Sequence, residues 1–172
     1  MSTPPERSVG FAPVADADTR LLILGSLPGD ASLKAAQYYA HPQNGFWRLI
    51  GALIAQPDLA ALSYEARLER LRAARIGLWD VIASAERRGS LDAAIRNPEA
   101  ADLIALTARL PALRAVAFNG GTAARAGRRI LEGATTAALI DLPSSSPAHA
   151  RPFDEKQARW SVLSPYLVAA DR

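Results

Sequence analysis

Cysteine is absent from this chain of 172 residues, and only two histidines occur, His41 and His149. The absence of cysteine excludes disulfides, thiol catalysis and any iron–sulfur cluster held by cysteine. Two histidines cannot form a clustered transition-metal site from the usual ligands unless carboxylates dominate it. The signatures GxGxxG and GxxxxGK[ST] are also missing, which removes the main support for a dinucleotide or P-loop site. We therefore expect neither a metal nor a cofactor.

Long apolar runs are missing as well. No stretch of about 18 uncharged apolar residues is present, so we expect no transmembrane helix and no membrane partner. The segment from Met1 to Arg7 is polar and rich in proline, without a hydrophobic stretch after a basic start, and so predicts no secretory signal. A cytoplasmic location is the resulting expectation.

Lysine is scarce among the basic residues. Of 20 Lys and Arg side chains only Lys34 and Lys156 are lysines, and the 17 acidic residues leave a formal net charge of +3. A positive surface made mostly of guanidinium groups suits bidentate contacts with phosphate. A solvated helical surface is an equally good interpretation, because so small a net charge is weak evidence for nucleic-acid binding.

Four short apolar runs alternate with helical patterns along the chain. The runs cover residues 21–24, 76–82, 115–118 and 138–142, and each predicts a buried strand. This alternation predicts an α/β sandwich around a short, mostly parallel, four-stranded sheet. The length fits one domain over residues 1–172, in which we expect residues 1–19 to be poorly structured.

Three turns that follow predicted strands carry small and polar residues. They contain Gly25 and Ser26, then Asn119, then the run Ser144, Ser145 and Ser146. Loops at the carboxyl ends of parallel strands converge on one crevice, so these turns are expected to frame a single site. Their amides and hydroxyls suit an oxyanion or a phosphate, although each turn taken alone is ordinary turn chemistry.

Two of the three asparagines lie at loop–helix junctions near these turns. Asn97 is explained as the N-cap of a helix predicted over residues 98–110, with proline at its first position. Asn44 and Asn119 have no such simple explanation, although Asn119 is also a candidate cap. A carboxamide offers a donor beside an acceptor, which matches a carbonyl next to a ring N–H, as in uracil or hypoxanthine.

Four segments in register carry a family resemblance. The segments GSLPG, YYAHPQNGFW, FNG and LPSSSPAHA, in this order and spacing, resemble the uracil-DNA glycosylase superfamily over about residues 20–165. Within it they look most like the hypoxanthine-DNA glycosylase branch, a relative of the mismatch-specific uracil/thymine glycosylases. The resemblance implies a three-layer α/β/α sandwich. It also implies excision of a deaminated base, hypoxanthine first and xanthine or uracil next, from a flipped DNA nucleotide to leave an abasic site.

Two polar positions of the better-known relatives are apolar here. The Asp or Asn that orients water in the first motif is Leu27, and the His or Asn that opens the last motif is Leu142. In the hypoxanthine branch the asparagine of HPxN is the important one, and it matches Asn44. The resemblance therefore implies that Asn44 is the catalytic residue, which orients water toward C1′ of the sugar.

The resemblance also implies roles for other residues. Tyr39 is the expected stacking aromatic, Asn119 the reader of the base edge, and Phe46 a wall of the pocket or part of the core. His41 is a candidate acid, although its HP dipeptide can equally just shape the loop. The remaining expected contacts are with the base, from Gly25 and Ser26, and with DNA, from Ser144, Ser145, Ser146, His149 and Arg151.

Neither lysine lies in a matched segment, so we expect a monofunctional glycosylase without Schiff-base lyase chemistry. The expected partner is DNA that contains a deaminated base, and the expected state is a monomer. Two alternatives stay open at this point. One is a G:U or G:T mismatch glycosylase, against which Leu27 and Leu142 count; the other is a non-catalytic module that only binds damaged bases or nucleic acid.

Overall fold

A parallel four-stranded sheet forms the centre of the computed structural model, which describes residues 6–168. Its strands have the spatial order β3, β2, β6, β7, and all neighbouring pairs are parallel. Seven strands are described in all: β1 (Arg7–Val9), β2 (Leu21–Gly25), β3 (Ile76–Asp80), β4 (Ile82–Glu86), β5 (Arg96–Ala100), β6 (Ala115–Asn119) and β7 (Ala138–Leu142). The predicted four-stranded sheet is confirmed.

Helices cover both faces of this sheet. They are α1 (Asp30–Ala35), α2 (Phe46–Leu53), α3 (Tyr64–Ala73), α4 (Leu103–Ala108), α5 (Gly121–Leu131) and α6 (Phe153–Trp160). A 3₁₀ segment, Ser161–Tyr166, continues the closing helix, and Pro165 inside it has no backbone N–H for an α-helical bond. No helix among residues 6–168 is long and apolar enough to cross a membrane.

Alternation along β2 divides the core into two layers. Leu21 and Ile23 pack with residues of α2, α3 and α6, whereas Leu22 and Leu24 pack with residues of α4 and α5. Because successive side chains of a strand point to opposite faces, a strand of only apolar residues must be covered on both sides. The three-layer α/β/α arrangement is therefore confirmed.

The strand register aligns the residues on which the site depends. Gly25 lies opposite Asp80 of β3, and Asn119 lies opposite Leu142 of β7. Leu24, one residue before Gly25, lies opposite Phe118, one residue before Asn119. Asp80, Gly25 and Asn119 therefore end three adjacent strands at one edge of the sheet.

A second sheet was not predicted from the sequence. It is antiparallel, with β4 between β1 and β5. The prediction of a helix over residues 98–110 is wrong at its start, since α4 begins at Leu103 and Asp102 caps it by accepting from the amide of Ala105. Every residue of β5 is exposed, so this edge strand has no apolar alternation from which it could be recognised.

The expectation of a poorly structured segment over residues 1–19 is wrong for the part that the structure describes. Beyond β1, Val14 exchanges two backbone hydrogen bonds of 2.8 Å with Leu78, and Trp79 Nε1 donates to the carbonyl of Phe11 at 2.9 Å. Phe11 and Val14 also pack against the core. Tertiary contacts with β3 and β4 fix a segment whose sequence alone has little periodicity. Residues 1–5 lie outside the described residues.

Candidate active site

A pocket of about 440 Å³ opens at the carboxyl ends of the central strands. All four of the sequence segments singled out above contribute to its lining, together with residues that follow β4. The lining from the four segments includes Gly25, Ser26, Leu27, Tyr39, His41, Asn44, Asn119, Ser144, Ser145, Ser146 and His149. The expected convergence of separate loops on one crevice is what the structure contains.

Gly25 forms a floor that tolerates no side chain. A Cβ atom at this position would lie 2.6 Å from Asp80 Oδ1 and 2.9 Å from the Tyr39 hydroxyl, closer than real Cβ contacts. The Asp80 side chain and the Tyr39 hydroxyl are both buried, so neither can move away cheaply. The glycine therefore allows two oxygen-bearing side chains to approach one point of the pocket floor.

Asn119 is held by Ser145 through both ends of its amide. Its Nδ2 donates to Ser145 Oγ at 2.9 Å, and its Oδ1 accepts from the backbone N–H of Ser145 at 2.8 Å. One N–H and one lone pair of the amide remain free for a ligand. The pair joins the end of β6 to the loop after β7 and so fixes the serine run in place. Reading of the base edge by Asn119 stays a prediction.

The loop after β7 is anchored at its base and exposed at its tip. Lys156 Nζ donates to the carbonyl of Ser146 at 3.1 Å, and Trp160 Nε1 donates to the carbonyl of Pro143 at 2.9 Å. Gly45 donates its N–H to the carbonyl of Ser145 at 2.9 Å. Residues 147 and 148 at the tip are exposed beside the pocket mouth. The loop thus presents an exposed tip on a fixed base.

Asn44 lies in the pocket wall just before α2. Its Oδ1 accepts from the backbone N–H of Phe46 at 2.9 Å, and its own backbone N–H donates to the carbonyl of His41 at 2.9 Å. These bonds fix the orientation of the amide while leaving its Nδ2 without a protein partner among residues 6–168. The side chain is therefore oriented and still available to a ligand or a water molecule.

Tyr39 and Phe46 stack on each other, with ring centroids 3.9 Å apart and an interplanar angle of 18°. Tyr39 lines the pocket with a left-handed backbone (φ 54°), a strained conformation that is often retained at functional sites. Phe46 is fully buried and does not line the pocket. Its predicted place as a wall that touches the base is therefore corrected: it supports Tyr39 from the core.

The Tyr39 hydroxyl is buried and makes no hydrogen bond of normal distance and angle in the described part of the chain, although the Asn119 amide lies near it. Burial, and next the Asp80 carboxylate, raise the pKa of Tyr39 well above its ordinary value, while Asn119 acts in the opposite direction. The hydroxyl is consequently neutral at physiological pH and remains a donor. A buried donor without an acceptor lowers the stability of the protein, and an acceptor atom on a bound ligand can restore that stability.

Asp80 is a site residue that the sequence analysis missed. Only 5% of the residue is exposed, it lines the pocket, and its Oδ2 is buried without a partner among the described residues. Burial, followed by the nearby Asp92, raises its pKa to about 7, while Arg87 acts in the opposite direction. The apolar run predicts one unbroken strand over residues 76–82, so nothing in the sequence marked Asp80 as the residue at which β3 ends.

The segment after β4 closes one side of the pocket and was also missed. Ser26 Oγ donates to Asp92 Oδ1 at 2.7 Å, and the backbone N–H of Asp30 donates to Ser90 Oγ at 2.9 Å. Arg87, itself buried, donates to the carbonyl of Pro28. The hydroxyl of Ser26 is thus occupied by the protein. No motif in the sequence indicated that residues 87–92 would reach the first turn.

The remaining predicted residues divide by position. His41 lines the pocket, and its Nδ1 accepts from the N–H of Gln43 at 3.1 Å, so the bond shapes the loop. His149 lines the pocket with a buried Nε2 that lacks a partner among residues 6–168. Arg151 is exposed and lies outside the lining. Leu27 and Leu142 are buried and apolar, and neither can orient a water molecule.

Within residues 6–168 no three His, Cys, Asp or Glu side chains are grouped so that they could hold a metal ion. The lining side chains include aromatic, hydroxyl, amide, imidazole and carboxyl groups beside apolar residues, without an arginine or lysine among them. This is a lining suited to a planar polar ring rather than to a phosphate. Contacts with phosphate would have to come from the rim.

Comparisons with known proteins agree with this geometry. The model of the uracil DNA glycosylase superfamily matches residues 12–164. A protein of Methanosarcina barkeri named hypoxanthine DNA glycosylase is 42% identical over 154 residues, which cover 88% of this chain and 94% of the relative. A protein of Methanosarcina acetivorans with the same name is 40% identical over 154 residues, 90% of this chain and 96% of the relative.

A solved structure gives the same result for the fold. A solution NMR structure from Methanosarcina acetivorans, assigned provisionally to the uracil DNA glycosylases, superposes with a TM-score of 0.84 at 39% sequence identity. The similarity covers 94% of this chain and 99% of that one.

Proposed function

The chain belongs to the uracil DNA glycosylase superfamily, and from that premise we propose that it is a DNA repair glycosylase that removes hypoxanthine. The reaction hydrolyses the N-glycosidic bond of a flipped deoxyinosine nucleotide and leaves an abasic site. The relatives named hypoxanthine DNA glycosylase, at 42% and 40% identity over most of this chain, support the choice of base.

One observation carries the proposal: four distant sequence segments meet in a single pocket of about 440 Å³ that contains Asn44 beside aromatic and amide groups. A flipped base needs a slot with a stacking face and hydrogen-bonding groups at its edge. Tyr39 supplies a ring backed by Phe46, and Asn119 supplies a fixed amide. Such a slot suits a neutral purine.

In the proposed reaction Asn44 orients the attacking water. The Phe46 N–H occupies one lone pair of Asn44 Oδ1 and fixes the amide, so the second lone pair can accept from water. The bond between C1′ and N9 breaks and its electron pair goes to the base, while the water oxygen bonds to C1′ and loses a proton. The departing base takes up a proton from solvent, so the products are neutral hypoxanthine and the abasic sugar. Because bond breaking runs ahead of attack in such reactions, a neutral amide is a sufficient orienting group.

The buried leucines favour this activity over excision of mismatched uracil or thymine. The two positions at which other relatives have water-orienting side chains are Leu27 and Leu142, both of them in the apolar cores of this protein. Without those groups, the orientation of the attacking water in the proposed reaction depends on Asn44. The geometry therefore supports the hypoxanthine branch.

Hydrolysis without a lyase step is part of the proposal. Lys156 is buried, its amine donates to the carbonyl of Ser146, and burial lowers its pKa. A lysine held in this way supports the serine loop and is not among the residues that line the pocket. We expect a monomer that acts on DNA with no cofactor, with Ser144–Ser146, His149 and Arg151 on the DNA side.

An excision assay tests the function directly. Matched duplexes with one hypoxanthine, xanthine, uracil or no lesion are incubated with the protein, and abasic sites are then cleaved by alkali. We expect hypoxanthine release that falls about 100- to 1,000-fold in Asn44→Ala, because an oriented group of this kind contributes that much to rate.

Asn97→Ala is the matched control, since this exposed asparagine lies on β5, outside the pocket lining. It should excise hypoxanthine like the parent protein. Uracil release in preference to hypoxanthine would favour the mismatch glycosylase alternative. Binding of lesion duplexes with no release from any of them would favour the non-catalytic alternative.

A further inference from the structure

Two polar side chains flank the glycine floor, and they differ in what they already bind. Asn119 has both ends of its amide engaged by Ser145. Asp80 is the more deeply buried of the two, yet its Oδ2 has no partner among the described residues. A buried polar atom without a partner costs on the order of 1–3 kcal/mol. Such an atom calls for an explanation, and a ligand that binds in the pocket is one partner that can complete it.

The floor brings this carboxyl to the bound base. The missing side chain of Gly25 leaves room that Asp80 Oδ1 and the Tyr39 hydroxyl border at 2.6 and 2.9 Å from the position of a Cβ. A planar ring that stacks on Tyr39 above this floor has its edge beside Asp80. The side chain thus lies at the pocket floor, on the side where the edge of a stacked ring would be.

We propose that Asp80, with its carboxyl protonated, is a specificity-determining residue that pairs with the edge of the flipped base. Its O–H donates to the carbonyl O6 of hypoxanthine, and its carbonyl oxygen accepts from N1–H, so both oxygens gain partners. This inference rests on the proposed function, and it assigns to Asp80 the contact that the sequence assigned to Asn119.

The surroundings of Asp80 favour the neutral acid. Asp92, from the 3₁₀ turn after β4, and the ring hydroxyls of Tyr38 and Tyr39 face it from two other segments, and none of them supplies positive charge. Arg87 is the one nearby cation, and no ion pair joins it to Asp80 in the described part of the chain. Burial and Asp92 together raise the pKa of Asp80 to about 7.

The same contact serves the reaction. As the bond to N9 breaks, the departing base gains negative charge that spreads onto O6. A donor already aimed at O6 is then a better partner for the leaving base than for the intact nucleotide. An ionised Asp80 would instead repel the same oxygen. Recognition and departure of the base should therefore both weaken once Asp80 loses its proton.

The test compares Asp80→Asn, Asp80→Ala and the parent protein between pH 5.5 and 9, using kcat/KM for hypoxanthine release. Above pH 7 the parent value should fall about tenfold for each pH unit. Asp80→Asn, which keeps a donor beside an acceptor, should stay within a few-fold of the parent's value at pH 6 and be flat above pH 7. Asp80→Ala should lose at least 100-fold at every pH. Asp102→Asn, an exposed helix cap, is the matched control.

Measuring the affinity for DNA duplexes in the same variants tests the role of Asp80 independently of whether the protein excises the base. The dissociation constant for the undamaged duplex divided by that for the matching hypoxanthine duplex should shrink toward one above pH 7 in the parent and not in Asp80→Asn. If the parent releases no hypoxanthine but this pattern of affinity holds, the proposed function fails and the role of Asp80 stands. Equal pH dependence of the parent and Asp80→Asn, or undiminished selectivity in Asp80→Ala, would overturn the inference.

Discussion

The two sides of the pocket floor differ in how their polar atoms are satisfied. On the β6 side, Asn119 and Ser145 exchange two hydrogen bonds of 2.9 and 2.8 Å. On the β3 side, the Asp80 Oδ2 and the Tyr39 hydroxyl are buried without partners among residues 6–168. We refer to these as the paired side and the open side. One edge of a sheet therefore carries both a completed polar contact and an incomplete one.

The two sides therefore have different roles: the paired side holds the shape of the site, and the open side is available to contact the substrate. A satisfied pair stabilises the fold and fixes the loop after β7, so it holds a shape whether or not DNA is bound. Unsatisfied buried atoms destabilise the free protein, and a ligand that binds beside them can complete them. Substitutions on the two sides should accordingly change stability in opposite directions.

The largest expected effect lies on the open side, in Asp80→Asn. Folding raises the pKa of Asp80 from 3.8 to about 7, so between these values the folded state keeps a proton that the unfolded state releases. The contribution of this group to stability is therefore present at low pH and is lost as pH rises toward 7. In Asp80→Asn an amide replaces the carboxyl, and the amide cannot ionise. The free energy of unfolding of this variant should therefore exceed that of the parent by an amount that grows with pH, to at most about 4 kcal/mol at pH 8.

Urea denaturation of both proteins at pH 5 and pH 8 measures this difference, with Asp102→Asn as an exposed control. The stability of Asp80→Asn relative to the parent should be larger at pH 8. An unchanged difference between the two pH values would mean that Asp80 is ionised throughout, and the contrast between the two sides would then lose its electrostatic part.

A smaller loss is expected on the paired side, from Asn119→Ala. This change leaves the N–H of Ser145 without its acceptor in a partly buried position, which should cost about 2 kcal/mol of stability. The serine loop would also lose its position, so hypoxanthine release should fall about tenfold. Urea denaturation measures the loss of stability, with the exposed Asp102→Asn as the control. Hydrogen exchange of the Ser145 amide reports the loss of loop position, and the excision assay reports the loss of activity. A loss of base selectivity at unchanged stability would instead make Asn119 the reader of the base edge.

The smallest effect compares one hydroxyl from each side. Ser145→Ala removes the acceptor for Asn119 Nδ2 and should cost about 1 kcal/mol. Tyr39→Phe removes a buried hydroxyl that has no partner in the described part of the chain and should leave stability unchanged or increase it by up to about 1 kcal/mol. Thermal unfolding of both variants at pH 7 makes the comparison. Equal losses in the two would show that the sides do not differ.

The central sheet could be predicted from the sequence because its strands are apolar runs. Strands β2, β3 and β6 are buried along nearly their whole length, and such runs between turn residues have few other interpretations. The second sheet could not be predicted in this way, since every residue of β5 is exposed and Asn97–Pro98 is typical of a helix start. Pairing with β4 decided its structure.

The sequence predicted the location of the site better than it predicted the roles of the individual residues in it. Turn residues after parallel strands must converge, so Gly25, Asn119 and the serine run could be expected together. For Phe46 the sequence left two places open, a wall of the pocket or the core, and α2 turns it into the core. Asp80 was overlooked because the apolar run predicts one strand over residues 76–82, which places this residue inside the strand and not at its end.

By itself the sequence determined which segments are strands of the central sheet, that their loops share one crevice, and to which family these motifs belong. Those conclusions depend on local patterns and chain order, which the sequence contains in full. Only the tertiary structure decided that Ser145 engages both ends of Asn119 and that Asp80 is buried beside Gly25 without a partner among residues 6–168. Such facts depend on distances between segments far apart in the chain, and those distances are set by how the whole core packs.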